Sequence, residues 1–360
     1  MRESLINVSP PVIALFLACA LGASALRAEE APSALAAGEP EQADVQAEHL
    51  LKRMANAMQT TNYEGLLLHM RGGEARSMRV FHRYDAQHGE REHLLSLDGK
   101  PFEVLHDSSG CTCVWPQSRF MVIGKSPALN GRLSAQRFAD TGALAAFYRI
   151  ARQGQARIGG IACRLVKLEP RDAYRFGYRL CIHEPSALLL NLEVFDGERR
   201  LELNQFTQLR VRRDDEVDDM RLFTDVEGFR VVEDKREASA ESPKAEFQPT
   251  WVARQLPPGY ELRSAAMRVP PHFHSPQGKP VEQLIFSDGL GSVSVFIERV
   301  DAHAASDGAQ GADKPQPHGA MQRVVRKVDG YRLTAVGDAP EAAMRILLDN
   351  MQAVQGRAGE

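Results

Sequence analysis

Between Asn62 and Ile123 the chain offers one short alternating apolar segment after another, with turn residues between them and no helical spacing. A meander of antiparallel strands is the arrangement that fits this pattern. Tyr63 to Met70 reads as the first strand and Arg76 to Tyr84 as the second. Glu92 to Leu97 then stops at Asp98-Gly99, a hairpin signal because glycine tolerates positive φ. Phe102 to His106, Cys111 to Trp115 and Phe120 to Ile123 continue the series, with breaks at Ser108-Ser109-Gly110 and Pro116-Gln117-Ser118. A sheet grown from successive hairpins has one face that must be covered by apolar partners.

The segments before the meander supply an address and a first cover. Arg2, an apolar run from Val12 to Leu21 and small residues through Ala23-Ser24-Ala25 to Ala28 read as an export signal over residues 1–28. That run is shorter than the about 20 apolar residues of a bilayer span, and no later stretch supplies one. Cys19 follows Phe16-Leu17-Ala18, close to a lipoprotein box, which gives a lipid-anchored form as the alternative. Residues 29–44 are rich in Ala, Glu and Pro and read as disordered. Ala47, Leu50, Leu51, Met54 and Met58 then recur at helical spacing, which predicts an amphipathic helix over 45–59.

Beyond the meander, Ser126-Pro127 and Asn130-Gly131 mark a loop. Phe138, Leu144, Phe147, Tyr148 and Ile150 predict a short helix over about 142–151. Strands resume at Arg157 to Leu168 and Tyr174 to Ile182, and again at Leu188 to Phe195 and Leu201 to Val211 about Asp196-Gly197. Residues 234–249 have almost nothing apolar through 246 and read as a linker, so residues 45–233 form one domain and 250–354 a second. In the second, Val281 to Phe286 and Ser292 to Glu298 form a hairpin about Asp288-Gly289, and Met321 to Val328 and Tyr331 to Val336 another about Asp329-Gly330. A last helix starts near Asp338 as N-cap with Pro340 in its first turn, and buries Met344, Leu347, Leu348 and Met351. The fold class is α+β: a large antiparallel β domain covered by helices and a small α+β domain.

A net charge of -3 with 25% charged residues provides no basic field for nucleic acid. The chain carries no Gly-x-Ser-x-Gly elbow, His-Glu-x-x-His helix or phosphate-binding glycine loop, so neither an enzyme nor a cofactor is expected. His272 and His274, and likewise Cys111 and Cys113, make pairs without a second pair at metal-site spacing, and read as loop histidines and sheet-core cysteines. His69, His82, His93 and His106 read as residues of a solvated sheet face. Cys111, Cys113, Cys163 and Cys181 allow three pairings. Cys111 with Cys113 is disfavoured, since i and i+2 of a strand point the same way. Centring the turn near Arg171 places Cys163 opposite residue 179, so a bridge from Cys163 to Cys181 needs a register shift; buried reduced cysteines are the alternative. Whether the covered face of the sheet is a packed core or leaves a groove for an acyl chain or a peptide stays open.

Several stretches carry a family likeness. Asn62-Tyr63-Glu64-Gly65, Leu95-Ser96-Leu97-Asp98-Gly99 with Glu103-Val104, Arg171-Asp172 leading into Tyr178, Trp251 with Leu256-Pro257-x-Gly259-Tyr260, and Ser287-Asp288-Gly289-Leu290 with Ser292 to Phe296 resemble the RseB/MucB family of periplasmic regulators. The likeness spans both domains. It implies a LolA-like half-barrel over helices plus a small C-terminal domain, located in the periplasm. It also implies a partner, the periplasmic domain of an RseA/MucA-type membrane anti-sigma factor, shielded from regulated proteolysis and released when lipopolysaccharide or an acyl-chain ligand binds. A homo-oligomer is left open, and a lipid or lipoprotein carrier of the LolA type is the alternative function. The chain departs from the family in Cys111, Cys113 and its long N-terminus.

Overall fold

The computed structural model describes residues 40–124, 135–213, 220–234, 247–268, 280–300 and 319–354. The expected export signal with Cys19, most of the expected linker, the loop at 126–131, and His272 and His274 lie outside them.

The first helix, α1 (Pro40–Thr60), begins earlier than its apolar stripe. Pro40 brings a φ suited to the first turn, and Glu41, Gln42 and Ala43 are good helix formers, so residues 40–44 are helical where missing periodicity had suggested disorder. From Ala47 onward the stripe of Leu50, Leu51, Met54, Ala57 and Met58 is buried in the core of the large domain. The meander follows as β1 (Tyr63–Arg71), β2 (Glu74–Asp85), β3 (Gly89–Ser96), β4 (Glu103–Asp107), β5 (Gly110–Trp115) and β6 (Phe120–Gly124). After α2 (Thr141–Phe147) a second meander runs through β7 (Tyr148–Ile158), β8 (Ile161–Pro170), β9 (Gly177–Ile182), β10 (Leu189–Asp196) and β11 (Arg199–Val211). With β12 (Arg230–Asp234) the strands form one sheet in the order β12-β6-β5-β4-β3-β2-β1-β11-β10-β9-β8-β7. The pairing of β1 with β11 therefore joins the two meanders.

At that seam β11 carries one residue more than β1, since Leu66 lies opposite Gln208 and Leu67 opposite Phe206. A bulge of this kind bends the strand. Gly65 is required beside it: a Cβ there would stand 2.5 Å from the Gln208 carbonyl oxygen and 2.7 Å from the Phe206 ring.

Three boundaries differ from the sequence reading. The helix expected over 142–151 ends at Phe147, because Tyr148 and Ile150 bury alternate positions of β7 with exposed Arg149 between them, a strand period. The strand expected over 157–168 is split by Gly159-Gly160, whose φ values of 54° and 82° make the turn between β7 and β8. Residues 230–234 add an edge strand parallel to β6 that the sequence reading left unassigned. The β8–β9 ladder, meanwhile, is regular. It pairs Leu165 with Cys181, so the Cys163–Cys181 bridge, with a Cα–Cα distance of 5.4 Å, joins diagonal neighbours of one face and needs no register shift.

The segment leading to β12 is fixed to the outer face of the sheet through Glu103. Its carboxylate accepts hydrogen bonds from the Phe223 amide at 2.6 Å, the Thr224 amide at 3.0 Å and the Thr224 hydroxyl, and pairs with His93 Nε2 at 2.7 Å. Phe223 packs against the rings of Phe81 and His93. Burial pushes the Glu103 carboxyl up, but its hydrogen bonds from His93 and Thr224 outweigh that and lower it from 4.5 to about 2.

The small domain holds β13 (Trp251–Ala253), β14 (Glu261–Arg268), β15 (Val281–Ser287), β16 (Ser292–Arg299), β17 (Gln322–Val328), β18 (Tyr331–Gly337), α3 (Glu341–Asp349) and β19 (Met351–Ala353). Five strands pair in the order β14-β15-β16-β18-β17, and β13 pairs with β19. Trp251, Phe286, Val293, Val295 and Leu333 share a core with Met344, Leu347 and Leu348 of α3. The start of α3 is corrected: Pro340 is the N-cap, and Asp338 instead accepts from the Ser292 amide at 2.7 Å. The β15–β16 loop is longer than a two-residue turn. Asp288 accepts from the amides of Leu290 and Gly291, Ser287 Oγ accepts from the Gly289 amide, and Gly289 has φ 98°.

Two outcomes follow from these contacts. Gly289→Val places a β-branched residue at positive φ and is expected to destabilise the protein by on the order of 1–3 kcal/mol; an unchanged melting temperature contradicts the turn. Glu103 binds its proton more weakly folded than unfolded, so its stabilisation is present above pH 4.5 and is lost as pH falls through about 2. Glu103→Gln should therefore lower stability at pH 7 by on the order of 2–3 kcal/mol, with the difference from the parent disappearing toward pH 2 in denaturant titrations. A difference that is constant with pH contradicts the ionic role of Glu103.

Candidate functional site

Arg175 lies between β8 and β9, inside the stretch from Arg171-Asp172 to Tyr178 that carries part of the family likeness, although the residue itself stands out by no motif. Its Nε stands 2.8 Å from the Asp288 carboxylate in an ion pair whose side chains are both 1% exposed. Its other nitrogens bond to the carboxylate of Asp172 and the carbonyl oxygen of Pro258. The guanidinium centre sits 4.0 Å from the centroid of the Phe147 ring and 5.6 Å from that of Tyr260. Removing two charges from water costs several kcal/mol per ion, and such a pair persists only where further partners satisfy it. Here those partners come from both domains.

The surrounding residues close the same junction. Tyr260 donates its hydroxyl to the Tyr174 carbonyl at 3.2 Å, and Arg137 donates to the Leu290 carbonyl at 3.3 Å. Leu290, from the small domain, is 4% exposed inside the apolar core of the large one. Gly259 has φ 78°, and a Cβ on it would stand 2.4 Å from the Phe147 ring and 2.7 Å from Arg175 Nη2. Glycine is the residue that this approach admits.

The structure thus brings Gly259, Asp288 and Leu290 to one junction, with Ser287 and Gly289 in the same loop as Asp288, and Pro257 adjacent to Pro258, whose carbonyl Arg175 binds. The remaining residues of the sequence motifs serve elsewhere. Asn62 Oδ1 accepts from the Tyr84 amide at 2.7 Å, and Tyr63 and Gly65 lie at the β1–β11 seam. Asp98 accepts from the Ser77 amide at 2.7 Å beside Gly99, whose φ is 68°, and Trp251 belongs to the small core. Arg175 and Arg137 carry no motif in the sequence, and Phe147 reads there as an aromatic of the short helix; their place at the junction follows only from their partners' geometry.

The concave face of the large domain is a second place of interest. Tyr63, His82, Glu92, His106 and Cys111 lie directly opposite one another along β1 to β5. His82 stacks on Tyr63 at 4.7 Å, with Nδ1 2.9 Å from the Thr61 carbonyl oxygen and Nε2 3.2 Å from Glu90. His82 and His93 are 1% and 2% exposed, which corrects their reading as residues of a solvated face. Burial pushes the Glu92 carboxyl up to about 7, with His82 opposing and Glu90 adding to the shift. Between this row and Met58, Ala135 and Gln136 lies a cleft of about 180 Å³. Side chains of α1 fill the rest of the face. The cleft is smaller than the roughly 300–1,000 Å³ of ordinary ligand pockets, so the covered face is mainly a packed core.

Asp288→Ala should leave Arg175 buried without its interdomain carboxylate. A loss on the order of 3 kcal/mol is expected, read as a lower melting temperature; a variant as stable as the parent contradicts the junction as a stabilising element.

Residues 46–226 match the MucB/RseB N-terminal domain and residues 244–352 the MucB/RseB C-terminal domain. The sigma factor AlgU regulatory protein MucB of Pseudomonas aeruginosa is 28% identical over 307 residues, covering 81% of this chain and 85% of that protein. The sigma-E factor regulatory protein RseB of Escherichia coli K12 is 23% identical, covering 84% and 89%. A crystal structure of MucB in complex with MucA(peri) superposes with TM-score 0.62 at 25% identity, covering 85% of this chain and 98% of that one. The complex structure of Pseudomonas aeruginosa MucA/MucB gives TM-score 0.62 at 26% identity, covering 86% and 99%. These relatives are regulatory proteins rather than enzymes. The two matched domains stand in order on the large sheet and on the small one that latches to it through Arg175, and the chain belongs to the MucB/RseB family.

Proposed function

We propose that this protein is a periplasmic regulator that binds the periplasmic segment of a membrane-anchored anti-sigma factor, shields it from regulated proteolysis, and releases it when a lipid or lipopolysaccharide binds. The observation that carries the reading is the match of both domains to MucB/RseB, with coverage of 98% and 99% of the MucB chains solved with MucA. The signal-like residues 1–28 support export to the compartment where such a segment is found.

Release needs two states that the ligand distinguishes. The Arg175 junction supplies a discrete element for this, since its ion pair is either buried between the domains or broken. A cleft of about 180 Å³ receives only a short piece of an acyl chain, so a larger lipid must displace α1 or open the junction. Tenfold release corresponds to about 1.4 kcal/mol, which two buried methylenes at about 0.8 kcal/mol each provide. The carrier reading is weaker, because both domains match a family whose members include MucB solved with MucA.

Titrating the purified anti-sigma segment with and without lipopolysaccharide fragments tests both parts. The segment is expected to bind and to weaken lipid binding by the same factor by which lipid weakens its own. Failure of the segment to bind overturns the partner, and equal lipid affinities in the two titrations overturn release by competition.

A further inference from the structure

Cys111 and Cys113 are the unbridged cysteines among the described residues, and neither the fold nor the proposed function makes use of their sulfurs. Both lie on the same face of β5, are 4% and 3% exposed, and place their Sγ atoms 3.7 Å apart. Val104, Leu94, Phe102, Trp115 and Val122 surround them. A pair of core cysteines acting as small apolar residues has no need of sulfur–sulfur contact. Cys111 is also the end of the polar row, directly opposite His106, which in turn is opposite Glu92.

The spacing can be tested against what a dithiol is able to hold. With metal–sulfur bonds of about 2.3 Å, sulfurs at the observed distance subtend roughly 107° at an ion, and a linear arrangement requires them to part by about 0.9 Å. Among the described residues no three His, Cys, Asp or Glu side chains converge on one point, which does not suit zinc or the oxygen-seeking cations. A soft monovalent ion is satisfied by two thiolates.

We propose that Cys111 and Cys113 form a two-sulfur binding site for a monovalent thiophilic cation, Cu(I) being the ion of that class. On binding, two S–H bonds break, two Cu–S bonds form, two protons leave to solvent and copper stays monovalent. The cleft lined by His82, Glu90, Glu92 and His106 reaches the neighbouring position of the row and gives the ion a polar approach. This inference is independent of the anti-sigma partner.

The test uses the full chain with Cys19→Ser, kept anaerobic with the Cys163–Cys181 bridge intact. Cu(I) held by bicinchoninate is titrated in, and loss of the chelate colour is followed together with the ultraviolet sulfur-to-copper band. Native mass spectrometry with Ag(I), which has no redox chemistry under these conditions, provides the count. One ion per chain is expected, lost in Cys111→Ser and in Cys113→Ser. To remove dependence on variant folding, unsubstituted Cys111 and Cys113 are labelled with N-ethylmaleimide in partly denaturing urea with and without Ag(I), and the peptides are mapped; protection of both is expected. Failure of the protein to take Cu(I) from the chelator, retention of the ion by either folded Ser variant, or equal labelling with and without Ag(I) overturns the site.

Discussion

Among the described residues the two domains meet around the buried pair of Arg175 and Asp288, and again where the Ala320 amide donates to Glu202 at 3.4 Å. Neither charge of the buried pair would be stable alone. Asp172 and Phe147 from the large domain, and the Pro258 carbonyl and Tyr260 ring from the small one, surround the guanidinium and offset its loss of water. The same loop that places Asp288 also inserts Leu290 into the large core, so the polar latch and an apolar plug come from adjacent residues. A junction of this kind favours one relative placement strongly, because small displacements leave a charge unpaired. It is the element that the proposed release would have to break.

The concave face gives a different lesson. A long curved sheet is compatible with a lipid groove, yet Leu50, Leu51, Met54 and Met58 of α1 occupy that space and leave a modest cleft with polar walls. The row from Tyr63 to Cys111 shows how a sheet interior can carry ionisable groups: each is paired across strands, stacked or hydrogen-bonded, and Glu92 responds to burial by binding its proton more tightly. An acyl chain longer than this cleft would have to displace α1 to enter the face.

Much of this was legible in the chain. The strands β1 to β6 follow from period-two alternation and from turns such as Asp98-Gly99, whose glycine has the positive φ that the sequence implied. The motif pieces around Pro257 and Asp288 were visible as motifs, but not as neighbours. Their convergence depends on Arg175, a single charged residue whose significance appears only when segments over a hundred residues apart are packed. Glycine positions were similarly ambiguous. Gly159-Gly160 turned a presumed strand into a hairpin, whereas Gly65 and Gly259 are dictated by neighbours that arrive from elsewhere in the chain. The buried histidines were misread because their pattern matches a solvated strand face, and only the covering elements decide which face is wet.

With the Arg175–Asp288 latch buried between them, the two domains are expected to unfold as one unit. Each contains one of the two tryptophans, Trp115 in the large sheet and Trp251 in the small core. Fluorine NMR of protein labelled with 5-fluorotryptophan therefore follows both domains at once during urea unfolding. The account predicts that the native resonances of Trp115 and Trp251 disappear with one midpoint, and that Asp288→Ala separates them. Two distinct midpoints in the unsubstituted protein would contradict it.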